Sequence, residues 1–293
     1  MVIGMIGKSD VIRYRAFNIF KKAAKNQGIK LKYYSINHFS VQIGENAELY
    51  YKGKPFLVDA VINWLPYSKS FLELALKSKN IPMVNSSSSI SNCNNKINTD
   101  LLLKQINVKQ PNTRYFYKYK KYNAKLNFPL IYKKSAGSKG LKMRMFSRKR
   151  DLVKVLKDRV GESVYLQEYI SNPGWDIRVV VVNNKVIGAI KKYSKDGEFR
   201  THVKHGGIAL NYQVSQELNN LALKVNKQMG TFYSGIDIIK DTNGKLLVLE
   251  VNSRPGMTLF EDITGISIAT EVIKSIKEVY YDHSSDALEK TSK

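Results

Sequence analysis

Short apolar segments alternate with amphipathic segments over the first ninety residues. The segment VIGMIG is followed by an amphipathic stretch around residues 15–27, and then by IKLKYYSI, VDAVINW, FLELALKSKN and IPMVN. Strands and helices that alternate at this spacing are typical of βαβ units. The pattern therefore predicts a small parallel sheet in residues 1–90. The polar stretch SSSSISNCNN that follows indicates a linker.

From about residue 92 the pattern predicts two further units that mix helices and strands. A helix is predicted at NKINTDLLLKQIN, strands at RYFYKYKKY, FPLIYKK and LKMRMF, and a helix at DLVKVLKDRV. The last unit contains YLQEYI, the hairpin DIRVVVVNNKVIGAI with its turn at Asn183–Asn184, the helix QELNNLALKVNKQMG, a second hairpin and the helix ISIATEVIKSIKEVYY. We therefore divide the chain into an α/β domain (1–90), two α+β subdomains (91–165 and 166–282) and a polar tail (283–293).

Composition narrows the class of protein. The 293 residues include 48 Lys and Arg against 24 Asp and Glu, a net charge of +24, so anions such as nucleotides, acidic peptides, nucleic acid and anionic membranes are admissible partners. Genome composition or unusual salt could also produce this excess. Cys93 is the only cysteine, which excludes a disulfide framework and a cysteine zinc site. We find no signal segment and no run near the ~18 apolar residues of a membrane span, and expect a cytoplasmic protein.

The second hairpin, GIDIIKDTNGKLLVLEVNSRPG, carries two acids in apolar strands. An Asn-Gly pair favours a two-residue turn, because both central positions need positive φ. If Asn243 and Gly244 form that turn, counting outward places Asp237 directly opposite Glu250. Like charges in this position destabilise a sheet, so neutralising either acid should leave the fold intact or slightly more stable.

A metal ion would explain the pairing of the two acids. Alternation along the strand puts Asn252 on the same face as Glu250, so two carboxylates and an amide oxygen converge. Oxygen ligands of this kind suit Mg²⁺ or Mn²⁺. The alternative is a solvated hairpin whose acids point into water.

A glycine-rich loop follows another apolar strand. Lys133 ends the segment FPLIYK and is followed by KSAGSKG, in which Gly137 and Gly140 allow backbone N–H groups to approach an anion. The loop lacks the order of a P-loop, and a plain flexible turn is the alternative. Similarly, the alternating Tyr and Lys residues at 115–122 could stack on bases, or form a half-exposed strand.

The order of these features resembles the ATP-grasp superfamily, in which two α+β subdomains close over ATP behind an N-terminal α/β domain. The resemblance is strongest to the RimK-type ligases, which join glutamate or a similar amino acid to a carboxylate. It rests on FPLIYKKSAGSKG, YLQEYI followed by GWDIRVVVV, EFRTHVKHGG, GIDII and LEVNSRPGM.

The resemblance implies three groups of site residues. The residues that would bind ATP are Lys96 and Lys133 at the phosphates, Gly137, Ser138, Lys139 and Gly140 in a lid over the phosphates, Gln167, Glu168, Tyr169 and Ile170 in a hinge strand that bonds adenine through its backbone, and Asp176 at the ribose. The metal ligands would be Asp237, Glu250 and Asn252. The residues that would act on phosphate or substrate are Arg178 and Arg200. Arg254 does not come from the resemblance, since RimK relatives often have a small or apolar residue there; its position two residues past Asn252 and its planar guanidinium predict that it binds a substrate carboxylate. This chain departs from the family pattern at His202 and His205, where Asn and Arg are usual, so the contacts of that loop differ. A surface ion pair is the alternative for Asp176 and Arg178, and an exposed loop arginine is the alternative for Arg254.

The implied activity is ATP- and Mg²⁺-dependent formation of an amide through an acyl phosphate. The amine would come from glutamate or another amino acid, and the acceptor would be an acidic peptide, a carrier protein or a glutamate-bearing cofactor. The resemblance also implies a homo-oligomer, a dimer or tetramer. Alternatives are an ATP-grasp kinase, a D-alanine:D-alanine type ligase, a non-catalytic ATP-binding regulator and a nucleic-acid-binding module.

Overall fold

The N-terminal domain is built around a parallel sheet, as predicted. The computed structural model describes residues 1–8, 15–67, 69–120, 126–133, 143–171, 174–195 and 207–282. The elements of this domain are β1 (Val2–Gly7), α1 (Arg15–Lys25), β2 (Lys30–Ser35), β3 (Phe39–Ile43), β4 (Ala47–Tyr51), β5 (Lys54–Pro55), β6 (Ala60–Asn63), α2 (Ser70–Lys77) and β7 (Met83–Val84). The parallel order is β2-β1-β6-β7, and β3, β4 and β5 add a small antiparallel sheet that the sequence pattern did not predict.

The serine-rich stretch is a helix, so its interpretation as a linker is wrong. The helix α3 spans Ser87–Asn94, and the hydroxyl of Ser86 accepts a hydrogen bond from the Ser89 N–H at 3.1 Å. A serine in this position satisfies a backbone donor that the first turn of a helix leaves unpaired. Ile90 is fully buried and fixes the helix to the protein.

The central subdomain contains a four-stranded antiparallel sheet, and the second of its two described helices packs on one face of that sheet. Its elements are α4 (Lys96–Gln105), β8 (Thr113–Phe116), β9 (Leu130–Lys133), β10 (Arg144–Phe146), α5 (Lys149–Lys157) and β11 (Val164–Glu168). The sheet order is β10-β9-β11-β8, which leaves β8 at one edge. Leu152 and Leu156 of α5 pack with Val164 and Leu166 in a separate hydrophobic core.

The C-terminal subdomain is a five-stranded antiparallel sheet in the order β14-β13-β12-β15-β16. Its elements are β12 (Trp175–Val182), β13 (Lys185–Tyr193), β14 (Ile208–Tyr212), α6 (Gln216–Met229), β15 (Tyr233–Lys240), β16 (Leu246–Asn252), α7 (Met257–Thr264), α8 (Ile268–Lys277) and a π-helical turn (Glu278–Asp282). The helix α7 was not predicted. None of the helices within the described ranges combines the length and the apolar character needed to cross a bilayer.

The N-terminal domain and the C-terminal subdomain share one hydrophobic core. The strand VVVV of β12 is buried on both faces, because Val179 and Val181 pack on the α6 side while Val180 and Val182 pack on the other side. On that second side α8 lies against α1, and Phe20 belongs to the same core as residues of α8. The predicted boundaries at residues 90 and 165 stay predictions, but the packing joins the first unit directly to the third.

One asparagine reinforces this joint. The side-chain amide of Asn85, which follows β7, donates to the carbonyls of Tyr233 (2.9 Å) and Ser253 (2.8 Å). Its oxygen accepts from the N–H groups of Phe232 (2.7 Å) and Tyr233 (3.1 Å). The asparagine is 1% exposed, so these bonds are shielded from water.

The two hairpins of the C-terminal sheet turn in different ways. Asn183 and Asn184 both have positive φ and form a two-residue turn between β12 and β13, as predicted. In the second hairpin only Gly244 has positive φ (81°), and the Asp241 N–H bonds to the Lys245 carbonyl at 3.0 Å around a three-residue loop. The prediction of a two-residue turn at this position is therefore wrong.

Candidate active site

The two acids of the second hairpin lie opposite each other, as predicted. Asp237 on β15 pairs with Glu250 on β16, because a β-bulge beside Asp237 shifts the register by one residue and offsets the longer turn. The Asn252 amide nitrogen lies 3.0 Å from Glu250 Oε1 and 3.3 Å from Asp237 Oδ2. Gly235 stands opposite Asn252, and a Cβ there would come within 2.9 Å of Pro255. The structure therefore brings the three predicted metal ligands together.

Arg178 neutralises the more buried of these acids. Arg178 on β12 is directly across from Asp237, and its Nε and Nη2 donate to the two carboxylate oxygens at 2.8 and 2.6 Å. This bidentate arrangement is a strong form of ion pair. The side chains are 19% and 7% exposed, so the alternative of a weak surface pair between Arg178 and Asp176 does not describe this residue.

Lys192 is a site residue that sequence reasoning missed. It lies on β13 opposite Asp176, and its Nζ is 2.8 Å from Asp176 Oδ1 and 3.3 Å from Asp237 Oδ1. Burial by itself would raise the pKa of the Asp237 carboxyl, but Arg178 and Lys192 together hold it well below its usual range. The signal in the sequence was a lysine pair that ends the apolar strand VIGAI.

The predicted phosphate lysines face the acidic hairpin from the central subdomain. Lys133 at the end of β9 is 8% exposed, and its Nζ donates to Gln167 Oε1 at 2.6 Å. Burial lowers the pKa of Lys133, Glu250 raises it, and Lys96 at the first turn of α4 lowers it. These electrostatic effects show that Lys96, Lys133 and Glu250 share one region, although they come from three different elements.

Two backbone N–H groups of the predicted adenine hinge are already hydrogen-bonded to other parts of the protein. The Glu168 N–H bonds to the Asn112 carbonyl at 2.8 Å, and the Tyr169 N–H bonds to the Pro129 carbonyl at 3.1 Å. Glu168 Oε2 also accepts from the Asn112 amide at 2.7 Å. Backbone recognition of adenine would therefore need the carbonyls of this segment or the N–H of Ile170.

Arg254 connects the loop after β16 to the N-terminal domain. Its Nη1 donates to the Trp64 carbonyl at 3.1 Å, and its guanidinium lies 5.8 Å from the centre of the Trp64 ring. The residue is half-buried, which does not fit the alternative of an exposed loop arginine. Its predicted contact with a substrate carboxylate stays a prediction.

Part of the predicted site lies outside the described residues. These positions are Gly137, Ser138, Lys139, Gly140, Arg200, His202 and His205. Their predicted roles in the lid and in the substrate loop stay predictions.

The predicted metal ligands have the chemistry that a divalent cation requires. Within the described ranges, no group of three or more His, Cys, Asp or Glu side chains could hold a metal. The set at this site is instead two carboxylates and the amide of Asn252, whose oxygen and nitrogen exchange places by rotation of the group. Mg²⁺ commonly takes one or two protein carboxylates and completes its shell with substrate phosphates and water. Asp237, Glu250 and Asn252 therefore fit such an ion.

Comparison with other sequences identifies the region that carries this site. A family model of the RimK-like ATP-grasp domain matches residues 93–276. A probable alpha-L-glutamate ligase of Mannheimia succiniciproducens is 30% identical over 277 residues, which cover 88% of this chain and 92% of that protein. A probable alpha-L-glutamate ligase of a Marinomonas species is 30% identical over 248 residues, which cover 80% and 82%.

Comparison with solved structures confirms the predicted fold. The ATP-grasp ligase PsnB complexed with a minimal precursor has a TM-score of 0.72 at 18% identity, covering 94% of this chain and 98% of that one. Its complex with the precursor, Mg and ADP has a TM-score of 0.71 at 18% identity, with 94% and 97% covered. The D-alanine–D-alanine ligase from Bacillus anthracis complexed with ATP has a TM-score of 0.70 at 18% identity, with 98% and 99% covered.

Proposed function

The chain belongs to the RimK-like ATP-grasp family and is an ATP-dependent ligase, and we propose that it joins glutamate or a similar amino acid to a carboxylate acceptor. The observation that carries the proposal is the arrangement of charge around the second hairpin. Two acids and an amide converge there, and the cations Arg178, Lys192 and Lys133 surround them. A site of this kind suits a polyphosphate held with a divalent ion.

The residues of this site would mainly position reactants and neutralise charge. A carboxylate is already nucleophilic, so its attack on the γ-phosphorus needs no protein base. The bond from the γ-phosphorus to ADP breaks as the acyl phosphate forms, and an amine then attacks the acyl carbon, displaces phosphate and loses a proton to give the amide. Lys96 and Lys133 would hold the ATP phosphates. Asp237, Glu250 and Asn252 would hold the divalent ion, which when bound neutralises phosphate charge. Arg178 would orient Asp237 and lie beside the transferred phosphoryl group.

The acceptor is proposed to be acidic because the positive charge is concentrated in one subdomain. Residues 91–165 contain 19 Lys and Arg against 4 Asp and Glu, so about a quarter of the chain carries most of the net +24. Among the described residues, α5 exposes Lys149, Arg150, Lys154 and Lys157. Arg114 of β8 is exposed on the same face, because its cross-strand partner Leu166 packs against α5. Such a surface would attract an acidic peptide.

The activity is tested by incubating the protein with ATP, Mg²⁺, each amino acid in turn and an acidic acceptor peptide. ADP release and the mass of the product are followed together. We expect ADP and an amide-linked product with glutamate or a related amino acid. A stable phosphorylated product without an amide would indicate a kinase, and ATP binding without ADP would indicate a regulator. Glu250→Gln is the control that should remove turnover.

The acidic acceptor is tested separately by varying the ionic strength. Salt screens charges over a Debye length of about 10 Å at 0.1 M and about 3 Å at 1 M. The KM for the acidic peptide should therefore rise with salt, while the KM for an acceptor analogue whose only charge is the reacting carboxylate should change little. A KM for the acidic peptide that does not depend on salt would contradict the proposed surface but not the ligase activity.

A further inference from the structure

A buried chain of hydrogen bonds leads from Lys133 to an aspartate on α4. Lys133 Nζ donates to Gln167 Oε1 at 2.6 Å, and Gln167 Nε2 donates to the Tyr165 hydroxyl at 3.1 Å. The Tyr165 hydroxyl donates to Asp100 Oδ2 at 2.7 Å. Tyr165 and Gln167 are each 1% exposed. The chain therefore joins a cation to an anion through two neutral side chains that water does not reach.

The chemistry of the two ends fixes the direction of every bond in this chain. A lysine ammonium can only donate, so Gln167 must present its amide oxygen to Lys133. The amide nitrogen then points to Tyr165, whose hydroxyl oxygen accepts and whose proton goes to Asp100. Gln167 Nε2 also lies 3.3 Å from Thr113 Oγ1, which supports the same orientation. If the amide of Gln167 rotated by half a turn, its donors would face the donors of Lys133.

Burial and the neighbouring groups act on the Asp100 carboxyl in opposite directions. Burial raises the pKa of Asp100 above its ordinary value, and the hydrogen bond from Tyr165 and the charges of Lys133 and Lys96 offset part of that rise. Burial raises the pKa of Tyr165, and the charge of Asp100 adds to the effect, so the hydroxyl keeps the proton that it donates. Asp100 thus lies close enough to feel the charges of both lysines that we assign to the ATP phosphates.

We propose that Asp100 and Tyr165 are positioning residues that hold the Gln167 amide oxygen toward Lys133 and so fix the Lys133 ammonium for ATP. This inference rests on the proposed contact of Lys133 with ATP. Neither residue needs to touch the nucleotide. Their effect is to remove alternative orientations of Gln167 and Lys133 before ATP binds, so that less side-chain entropy is lost when ATP binds.

The proposal predicts a selective loss of nucleotide affinity. Tyr165→Phe removes both the acceptor for Gln167 and the donor for Asp100 while it keeps the ring that packs in the sheet. A net contribution of one to two such hydrogen bonds, each about 1 kcal/mol, corresponds to an affinity loss of about five- to thirtyfold. We expect this rise in the ATP KM and in the Kd of ADP measured by calorimetric titration, with the amino-acid KM unchanged. Asp100→Asn keeps the shape and one acceptor oxygen, so its effect should be smaller.

A double variant and two controls separate positioning from general stability. Because both residues act through one chain, Asp100→Asn in the Tyr165→Phe background should cause no further loss of ADP affinity. Thr231→Val is the matched control. It removes another buried hydrogen bond, 2.6 Å from Thr231 Oγ1 to Asn226 Oδ1, and should lower the melting temperature without changing ADP affinity.

Lys133→Gln distinguishes the failure of this inference from the failure of the proposed site. If Lys133→Gln binds ADP and ATP as the wild type does, the assignment of Lys133 to the phosphates is wrong. If Lys133→Gln loses affinity while Tyr165→Phe and Asp100→Asn do not, only the positioning role is overturned. Additive losses in the double variant would also overturn it. Should Tyr165→Phe fail to fold, the isosteric Asp100→Asn decides between these outcomes.

Discussion

Asp237→Asn should destabilise the nucleotide-free protein, which is the opposite of what the pairing of two acids suggests. The sequence indicates repulsion between Asp237 and Glu250. In the structure, the carboxylate of Asp237 also accepts hydrogen bonds from the Arg178 guanidinium at 2.8 and 2.6 Å and from Lys192 Nζ at 3.3 Å. The side chains of Asp237, Arg178 and Lys192 are 7%, 19% and 10% exposed. Neutralising Asp237 therefore leaves two largely buried cations short of a partner.

The size of this effect follows from the contacts that remain. Removal of one partner of a buried ion pair costs about 3–5 kcal/mol. Asparagine keeps one acceptor oxygen, worth about 1 kcal/mol, and Lys192 keeps Asp176, so we expect a loss of about 2–3 kcal/mol. At about 2.1 cal/mol/K per residue, the unfolding entropy of this chain is about 0.6 kcal/mol/K, so the loss corresponds to a melting temperature lower by about 3–5 °C.

The assay is calorimetric melting in EDTA without nucleotide, over a range of pH. Because the folded pKa of Asp237 is depressed, its contribution is present above the unfolded value of about 3.9 and is lost as pH falls through the folded pKa. The difference between wild type and Asp237→Asn should therefore persist from neutral pH to about pH 4 and shrink below it.

A matched variant and a refuting result complete this test. Glu250→Gln removes the other acid of the pair but leaves Arg178 bound to Asp237, so its free energy of unfolding should differ from that of the wild type by no more than about 0.5 kcal/mol. An Asp237→Asn protein that melts at or above the wild-type temperature at pH 7 would show that repulsion between the acids outweighs their pairing with the cations.

Three further outcomes follow from the site. Asn252→Ala should raise the Mg²⁺ concentration for half-maximal ADP release by about tenfold, and an unchanged metal titration at saturating ATP would argue against its role as a ligand. Arg254→Lys should raise the KM of the carboxylate or amino-acid substrate while ATP affinity stays near wild type, since lysine cannot form the bidentate contact; normal KM values for both substrates would exclude this role. Burial raises the pKa of Cys93 to about 12, so iodoacetamide should label it slowly in the native protein at pH 8 and quickly in urea; rapid native labelling would contradict the assigned environment.

The second hairpin shows how much of the site a sequence can predict. The opposition of Asp237 and Glu250 was predicted correctly, but from a two-residue turn that does not exist. The actual loop has three residues, and an extra residue at Leu249 shifts the strands back by one. The longer loop shifts the pairing by one residue, and the bulge shifts it back by one residue. The predicted pair is therefore correct although the predicted turn is wrong.

The first hairpin shows the limit of the same reasoning. Its turn at Asn183–Asn184 was predicted correctly, and strict counting from it would place Lys191 opposite Asp176. A bulge after Val180 places Lys192 there instead. Lys191 points to the other face, with its Nζ 3.9 Å from the centre of the Trp175 ring. Bulges depend on packing from distant parts of the chain, so local patterns do not reveal them.

Pairings between strands far apart in sequence could not be predicted, because no hairpin turn joins them from which residues could be counted outward. Arg178 meets Asp237 because β12 lies beside β15, and Tyr165 meets Asp100 because the central sheet packs near α4. The family resemblance supplied candidate residues for binding ATP and metal, and their roles stay predictions. It did not predict the partners that hold those residues in place, because such partners depend on how this particular chain is packed.

The core shared by α1 and α8 affects the order in which this chain can fold during synthesis. Phe17 and Phe20 of α1 are buried in the same core as Ile273 and Ile276 of α8, which leave the ribosome more than 250 residues later. The first ninety residues therefore emerge with an apolar face that has nothing to cover it. Nascent chains in this state expose surface that favours aggregation, and chaperones commonly shield it. The central subdomain has its own core, so its folding does not require the core that the N-terminal domain shares with the C-terminal subdomain.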